Sequence, residues 1–296
     1  MASTGSAEQP PHIEGVRRSH ITARGVRFHV TEAGPADGRP VVVLHGWPQH
    51  HYAYRHLLAD PPAGLRIIAP DLPGYGWSGP AQHRWEKDEV ASDLLALLDS
   101  LDVRRALLVG HDWGGYIGFL MALREPERFD GFMPLNIAHP WITPRILAPH
   151  VWRFLLYQPL VASLGVPLQR HTPFLNELFR RGVVDRTEFS PEVIRAYTDS
   201  FRDPITARTA TDSYRTFLLH EVPALGRAHR PRATIPVRAL FGKADGAIHY
   251  SLAAAESARA DDYTVEYVSG CGHFIPEERP ALVRQRLLDL AAETAV

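Results

Sequence analysis

"ALLVGHDWGGYIGFL", residues 106–120, begins as a continuous apolar run, passes through a glycine-rich turn, and continues as a helical pattern from Gly114 onward. Strand, tight turn and helix in immediate succession thrust the turn residue out of the sheet, and the familiar sequence for such a turn, G-x-S-x-G, puts a serine there. Here the tip is Asp112. The chemistry of the chain depends on what a carboxylate does in that position that a hydroxyl cannot.

The flanking sequence predicts the sheet to which this turn belongs. From about residue 19 to Asn136, "VRFHVTEAG", "RPVVVLHG", "LRIIAPDL" and "RALLVG" read as strands, with "DEVASDLLALLDSLD" and the stretch after Gly114 as helices between them. Apolar strands separated by helices predict a mostly parallel central sheet covered on both faces, an α/β fold. The rhythm returns at "IPVRALFGKAD" and "YTVEYVSG" and ends in the amphipathic "RPALVRQRLLDLAAE". Between these parts the chain is rich in Trp, Phe, Tyr, Leu and Arg, punctuated by prolines, and without strand rhythm. That stretch predicts short helices set as a lid over the carboxyl ends of the strands, where open α/β sheets place their sites. The expected division is a mobile leader at 1–18, a core domain made of 19–140 and 231–296, and a helical lid domain at 141–230.

Composition narrows the function classes. A chain of 296 residues builds a large α/β domain without disulfide or metal staples, and its single cysteine, Cys271, suits a reducing compartment. A formal net charge of -1 gives no electrostatic case for nucleic acid or an anionic membrane. Residues 1–20 lack the apolar stretch of a secretory signal, and no later run reads as apolar and long enough to span a bilayer. The expectation is a soluble, cytoplasmic protein whose oligomeric state is unreadable. The 16 histidines show no H-E-x-x-H and no Cys/His ligand spacing, so neither metal nor cofactor is expected. "GYGWSG", residues 74–79, satisfies G-x-G-x-x-G, but Pro80 and a polar stretch stand where a nucleotide site needs a helix, so it reads as a tight loop.

Other residues fall into place around Asp112. "VVVLHGWPQ", residues 41–49, sets Trp47 just beyond a buried strand, where its backbone N–H, with that of Trp113, is suited to hold an oxyanion. Asp245 ends "VRALFGKAD", and His273 lies in "SGCGHFIPEE" after the last strand. Nucleophile, acid, histidine is the chain order of the α/β-hydrolase triad. The combination of H-G-W-P, "DLPGYGWS", G-H-D-W-G-G and the late G-H-F resembles the α/β-hydrolases of the epoxide hydrolase and dehalogenase branch over nearly everything after residue 20. The resemblance implies Asp112 as nucleophile, His273 as base, Asp245 as its orienting acid, and Trp47 and Trp113 as oxyanion donors.

The aspartate has a reason of its own. A carboxylate is ionised at neutral pH and attacks a saturated carbon bearing a leaving group, giving an alkyl ester on its own side chain. A histidine held by an acid then activates water against the ester carbonyl, and the oxyanion forms on the enzyme's carboxyl group.

The leaving group decides the substrate. An epoxide oxygen needs a proton donor, whereas a halide needs N–H or O–H donors alone. In the epoxide hydrolases that this chain resembles, two lid tyrosines serve; the Y-R pair in "ATDSYRTF" supplies Tyr214 as the second. The first belongs to W-Y-x-x-F-F-Q, and "VWRFLLYQP" has Arg153 in its place, with Tyr157 on a different helical phase. Arg153 is therefore a candidate lid donor or a partner for a substrate carboxylate. "HGWPQ" and "FRDP…SYR" also resemble fluoroacetate dehalogenases, but their G-H-D-R-G-G-R arginines are Trp113 and Tyr116 here. Hydrolysis of an epoxide to a vicinal diol ranks first and hydrolysis of a carbon–halogen bond in a haloacid or haloalkane second. Other ester, lactone or ring chemistry comes next, and a non-catalytic ligand-binding protein of the same fold stands beside these readings. The lid's Trp141, Trp152, Phe154, Phe174 and Phe217 predict a mostly apolar small-molecule substrate, attacked with water as the second reactant.

Overall fold

The computed structural model describes residues 9–224, 230–254 and 259–295. Its sheet is built from β1 (Arg17–Ala23), β2 (Val26–Ala33), β3 (Arg39–Leu44), β4 (Leu65–Pro70), β5 (Ala106–His111), β6 (Phe129–Leu135), β7 (Val237–Gly242) and β8 (Tyr263–Val268) in the order β1-β2-β4-β3-β5-β6-β7-β8. The β1–β2 and β2–β4 pairs are antiparallel and all others parallel. Alternate side chains of the inner strands enter two separate cores. Val42, Leu44, Leu108 and Phe132 pack with the helices Lys87–Ser100 and Trp113–Arg124. Val41, Val43, Leu107 and Met133 pack with Leu287 and Leu290 of the C-terminal helix Pro280–Glu293. Burial on both faces explains why these strands read as unbroken Val/Leu runs.

Two elements depart from the expected pattern. Ile13 is buried and β1 begins at Arg17, so the described part of the expected leader joins the core, while residues 1–8 lie outside the described residues. The strand β6, "FDGFMPL", was hidden by Asp130, Gly131 and Pro134, residues that depress strand propensity. Its ladder to β7 is sparse, pairing Phe132 with Val237 and Leu135 with Leu240, which leaves room for a proline that has no N–H to donate.

Between Leu135 and Val237 no strand occurs among the described residues; the segment forms helices, including Val151–Leu155, Gln158–His171, Phe174–Gly182, Pro191–Thr198 and Pro204–Thr216. Against the expectation that no run could span a bilayer, the helical stretch Pro144–His171 is long and apolar enough by composition. On its inner side Val161 is buried in the core and Gly165 lies against Thr211 without space for a side chain, while Trp152, Leu155, Leu156, Leu160 and Leu164 are exposed. "GYGWSG" is a loop closed by the Gly74 N–H on Gly79 O at 2.8 Å, and the next helix begins only at Lys87.

Candidate active site

The carboxyl ends of β3, β5, β6, β7 and β8 open toward the helical segment, and the expected residues meet there. Asp112 follows β5 with φ 48° and ψ -125°, a left-handed φ that a non-glycine residue adopts at a cost of about 1–3 kcal/mol. The turn is so tight that Gly114 faces the carbonyls of Leu44 and His45, and a Cβ on Gly46 would overlap the Asp112 side chain. Those glycines let the two loops close on one carboxylate.

That carboxylate lies between two sets of partners. The Trp47 N–H donates to its Oδ2 at 3.0 Å, and the Trp113 N–H bonds it as well. His273 Nε2 lies 3.9 Å from Oδ1. Burial raises the Asp112 pKa, while His273 and the two N–H groups act to lower it. The peptide between Trp47 and Pro48 is cis.

His273 Nδ1 is 2.8 Å from Asp245 Oδ2. Burial disfavours the imidazolium, but Asp245 and then Asp112 outweigh it and lift the His273 pKa to about 9. Asp245 is held below the usual carboxylate range despite its burial, by His273, Asn136 and the Ile248 N–H. Its Oδ1 accepts from the Ala247 N–H at 2.7 Å and the Ile248 N–H at 3.0 Å.

Several residues that the sequence did not single out hold this arrangement. Asn136, at the end of β6 with φ 45°, donates to Asp245 Oδ2 at 2.7 Å and to Gly272 O at 3.0 Å, and accepts from the Gly242 N–H at 3.1 Å. It ties three strand ends together. His111 Nε2 contacts the His273 carbonyl at 2.8 Å. Glu278 accepts from the Gly272, Val184 and Asp185 N–H groups, joining the His273 loop to the helical segment. Asn136 follows an apolar strand end as Asp112 does, and that position was its one readable signal.

Tyr157, rather than Arg153, lies beside Tyr214. Tyr214, on the helix Pro204–Thr216, is buried, and its hydroxyl bonds to that of Tyr157. Tyr157 stacks on the Trp47 indole with centroids 6.2 Å apart, and Tyr214 meets the same indole edge-on at 5.1 Å. Burial, foremost, and the Asp112 charge raise the pKa of both phenols. Tyr157 was set aside because a continuous helix would turn it away; instead the helix breaks after Leu155 and restarts at Gln158, re-aiming it. Arg153 does not join the tyrosines. Its Nη1 donates to the Asp245 and Gly246 carbonyls at 3.2 and 2.9 Å.

Asp112 stands between two cavities. The outer, about 400 Å³, is lined by Trp47, Arg153, Tyr214 and His273 among others. The inner, about 170 Å³, is walled by Trp113, Ile137, Phe154, Phe217 and Ile248 among others. Tyr157 borders both.

A buried cluster elsewhere needs separate treatment. His29, His51 and Asp71 have the spacing of metal ligands. Asp71, however, already accepts from His29 Nδ1, His51 Nδ1, the His51 N–H and the Trp77 N–H, all at 2.8–3.1 Å. Both Nε2 atoms are buried without partners, whereas a metal-bound imidazole ordinarily donates its other N–H. The donor set fits a hydrogen-bonded anchor behind the Trp47 loop better than a cation site.

Comparison with known proteins places this geometry. A family model for the alpha/beta hydrolase fold matches residues 39–280. The chain is 27% identical over 94% of its length to an AB hydrolase superfamily protein, YfhM, of Bacillus subtilis, covering 98% of that protein. It is 28% identical over 88% of its length to a soluble epoxide hydrolase of Corynebacterium sp., covering 91% of it. The solved structure of the epoxide hydrolase CorEH without ligand superposes with a TM-score of 0.74 at 26% identity, covering 95% of this chain and all (100%) of that one. The chain is an enzyme that belongs to the α/β-hydrolase fold family and is similar to its epoxide hydrolases.

Proposed function

We propose that the chain hydrolyses epoxides to vicinal diols through an alkyl ester on Asp112. The observation that carries this reading is the setting of one carboxylate. Asp112 has Oδ2 on the Trp47 N–H, Oδ1 toward His273, and a bonded tyrosine pair on its outer cavity, of which Tyr157 borders the inner one as well. Oδ1 attacks an epoxide carbon, the C–O bond breaks, and the oxygen takes a proton from Tyr157 or Tyr214. Oδ2 becomes the ester carbonyl oxygen. His273 then removes a proton from water as it adds to the Asp112 carboxyl carbon, and the oxyanion on Oδ2 is held by the Trp47 and Trp113 N–H groups. Collapse expels the diol and restores the carboxylate.

Charge is conserved within the site. Ring opening removes the Asp112 charge and leaves a tyrosinate, so the imidazolium proton is no longer held by Asp112 and can replace the one the tyrosine gave. His273 is thereby neutral when a base is needed. Trp113 and Tyr116 at the head of the nucleophile helix provide no cation for a carboxylate on the attacked carbon, which ranks haloacid hydrolysis lower. The segment 141–230 serves as the lid on a core of 19–140 and 231–296.

A single turnover in heavy-oxygen water tests the mechanism. With enzyme in excess, the first diol should carry no solvent oxygen, and label should enter Asp112 instead. A fully labelled first diol would mean direct attack by water and would overturn the ester pathway.

A further inference from the structure

We propose that the outer cavity is a carboxylate-binding arm, with Arg153 as its receptor, and that the preferred substrate is an amphipathic epoxy acid. Its apolar substituent would occupy the inner cavity. This rests on the reading of the chain as an epoxide hydrolase and names its substrate class.

The argument begins with one edge of a guanidinium. Arginine presents five N–H donors in a rigid plane, and the Nε–Nη2 edge matches the two oxygens of a carboxylate. Both bonds that Arg153 makes, to the carbonyls of Asp245 and Gly246, come from Nη1. The Trp152 ring lies beneath it, 5.0 Å from Cζ. One edge is thus anchored to the loop that carries the acid, and the plane rests on an indole. The Nε–Nη2 edge has no acceptor among the described residues, and no carboxylate there pairs with Arg153.

Its surroundings add no compensating charge. Glu177 and Arg181, on the same cavity, pair with each other at 2.6 Å. The Asp245 carboxylate is occupied by His273, Asn136 and backbone N–H groups, and Asp112 faces His273. His249, stacked on His150 at 4.3 Å, feels Arg153 as a neighbouring cation. An unpaired, pre-oriented cation on the wall of the nucleophile's cavity is a receptor for an anion. Both cavities have largely apolar walls, but only the outer carries arginines, whereas the inner is lined almost wholly by aliphatic and aromatic side chains. With Asp112 at the partition, the electrophilic carbons must lie between an apolar arm and an anionic one.

The test compares alkyl-substituted epoxy acids, with spacers of increasing length between ring and carboxylate, against their methyl esters. In the wild type the acid at the optimal spacer should exceed its ester in kcat/KM by roughly tenfold to a hundredfold, the range for a hydrogen bond to a charged group. In Arg153→Gln the ratio should fall toward one. Equal use of acid and ester by the wild type, or a preference that survives Arg153→Gln, overturns the inference while leaving epoxide hydrolysis standing. If no epoxide is opened at all, calorimetric binding of an unreactive alkanoate to wild type and Arg153→Gln still decides it. Arg153-dependent binding supports the arm, and equal or absent binding refutes it.

Discussion

Asp112 and His273 form a pair whose charges change together. The imidazole pKa stands at about 9 against an ordinary 6.5, because Asp245 and Asp112 outweigh the cost of its burial. A group whose pKa is raised by folding stabilises the native state fully below its unfolded value and loses that contribution as pH rises through the folded one. Thermal unfolding of the wild type against His273→Gln should therefore show a gap that is constant below about 6.5 and narrows toward about 9. A gap independent of pH across that window would mean that His273 is neutral in the resting enzyme. The residues of this pair were readable because each follows a strand end inside a motif: Asp112 in G-H-D-W-G-G, His273 in G-H-F, with Asp245 and Trp47 beyond their own strands. The supporting roles of Asn136 and His111 were not, since a strand-end position or a place in the motif does not reveal which carboxylate or carbonyl a side chain bonds.

The interruption between Val151–Leu155 and Gln158–His171 is what brings a second phenol to Tyr214. Helical phase is a sound guide only while the helix continues. Nothing in "VWRFLLYQP" announces the break until Pro159, one residue inside the new helix, where proline is well tolerated. Pro134 misled in the other sense, hiding β6 because a proline within a central strand is uncommon. If both phenols serve the leaving oxygen, Tyr157→Phe and Tyr214→Phe should each slow ester formation by about 10²- to 10⁴-fold, the range for general acid catalysis. Rapid-quench measurement of the ester on Asp112 reads that step directly. An unchanged rate in Tyr157→Phe would assign the proton to Tyr214 alone.

The helical segment and the sheet are joined by more than apolar contact. Buried Glu277, three residues beyond Phe274, accepts from Gln49, Arg55 and Tyr197, which belong to the Trp47 loop, the short helix that follows it and the helical segment. Burial drives its pKa up to about 7 against the pull of Arg55 and the hydrogen bonds. Trp47 adds a second tie through its indole N–H to Gln169 at 2.9 Å. Both loops that face Asp112 are therefore fastened to the helices roofing the cavities. A composition free of long apolar strand in 141–230 foretold helices there, but networks of this kind connect residues too distant in sequence to be read in advance.

If Asp112 is the nucleophile, its place between two unlike rooms also imposes handedness. Mirror-image epoxides project their substituents from the ring in opposite senses, so with one arm held in the inner cavity and the oxygen toward the tyrosines, only one enantiomer sends its other arm outward without strain. Racemic disubstituted epoxide should then be consumed in two phases, leaving one enantiomer enriched in the residue, as chiral chromatography of the unreacted substrate would reveal. Consumption of both at one rate would mean that the wall between the rooms yields to the substrate.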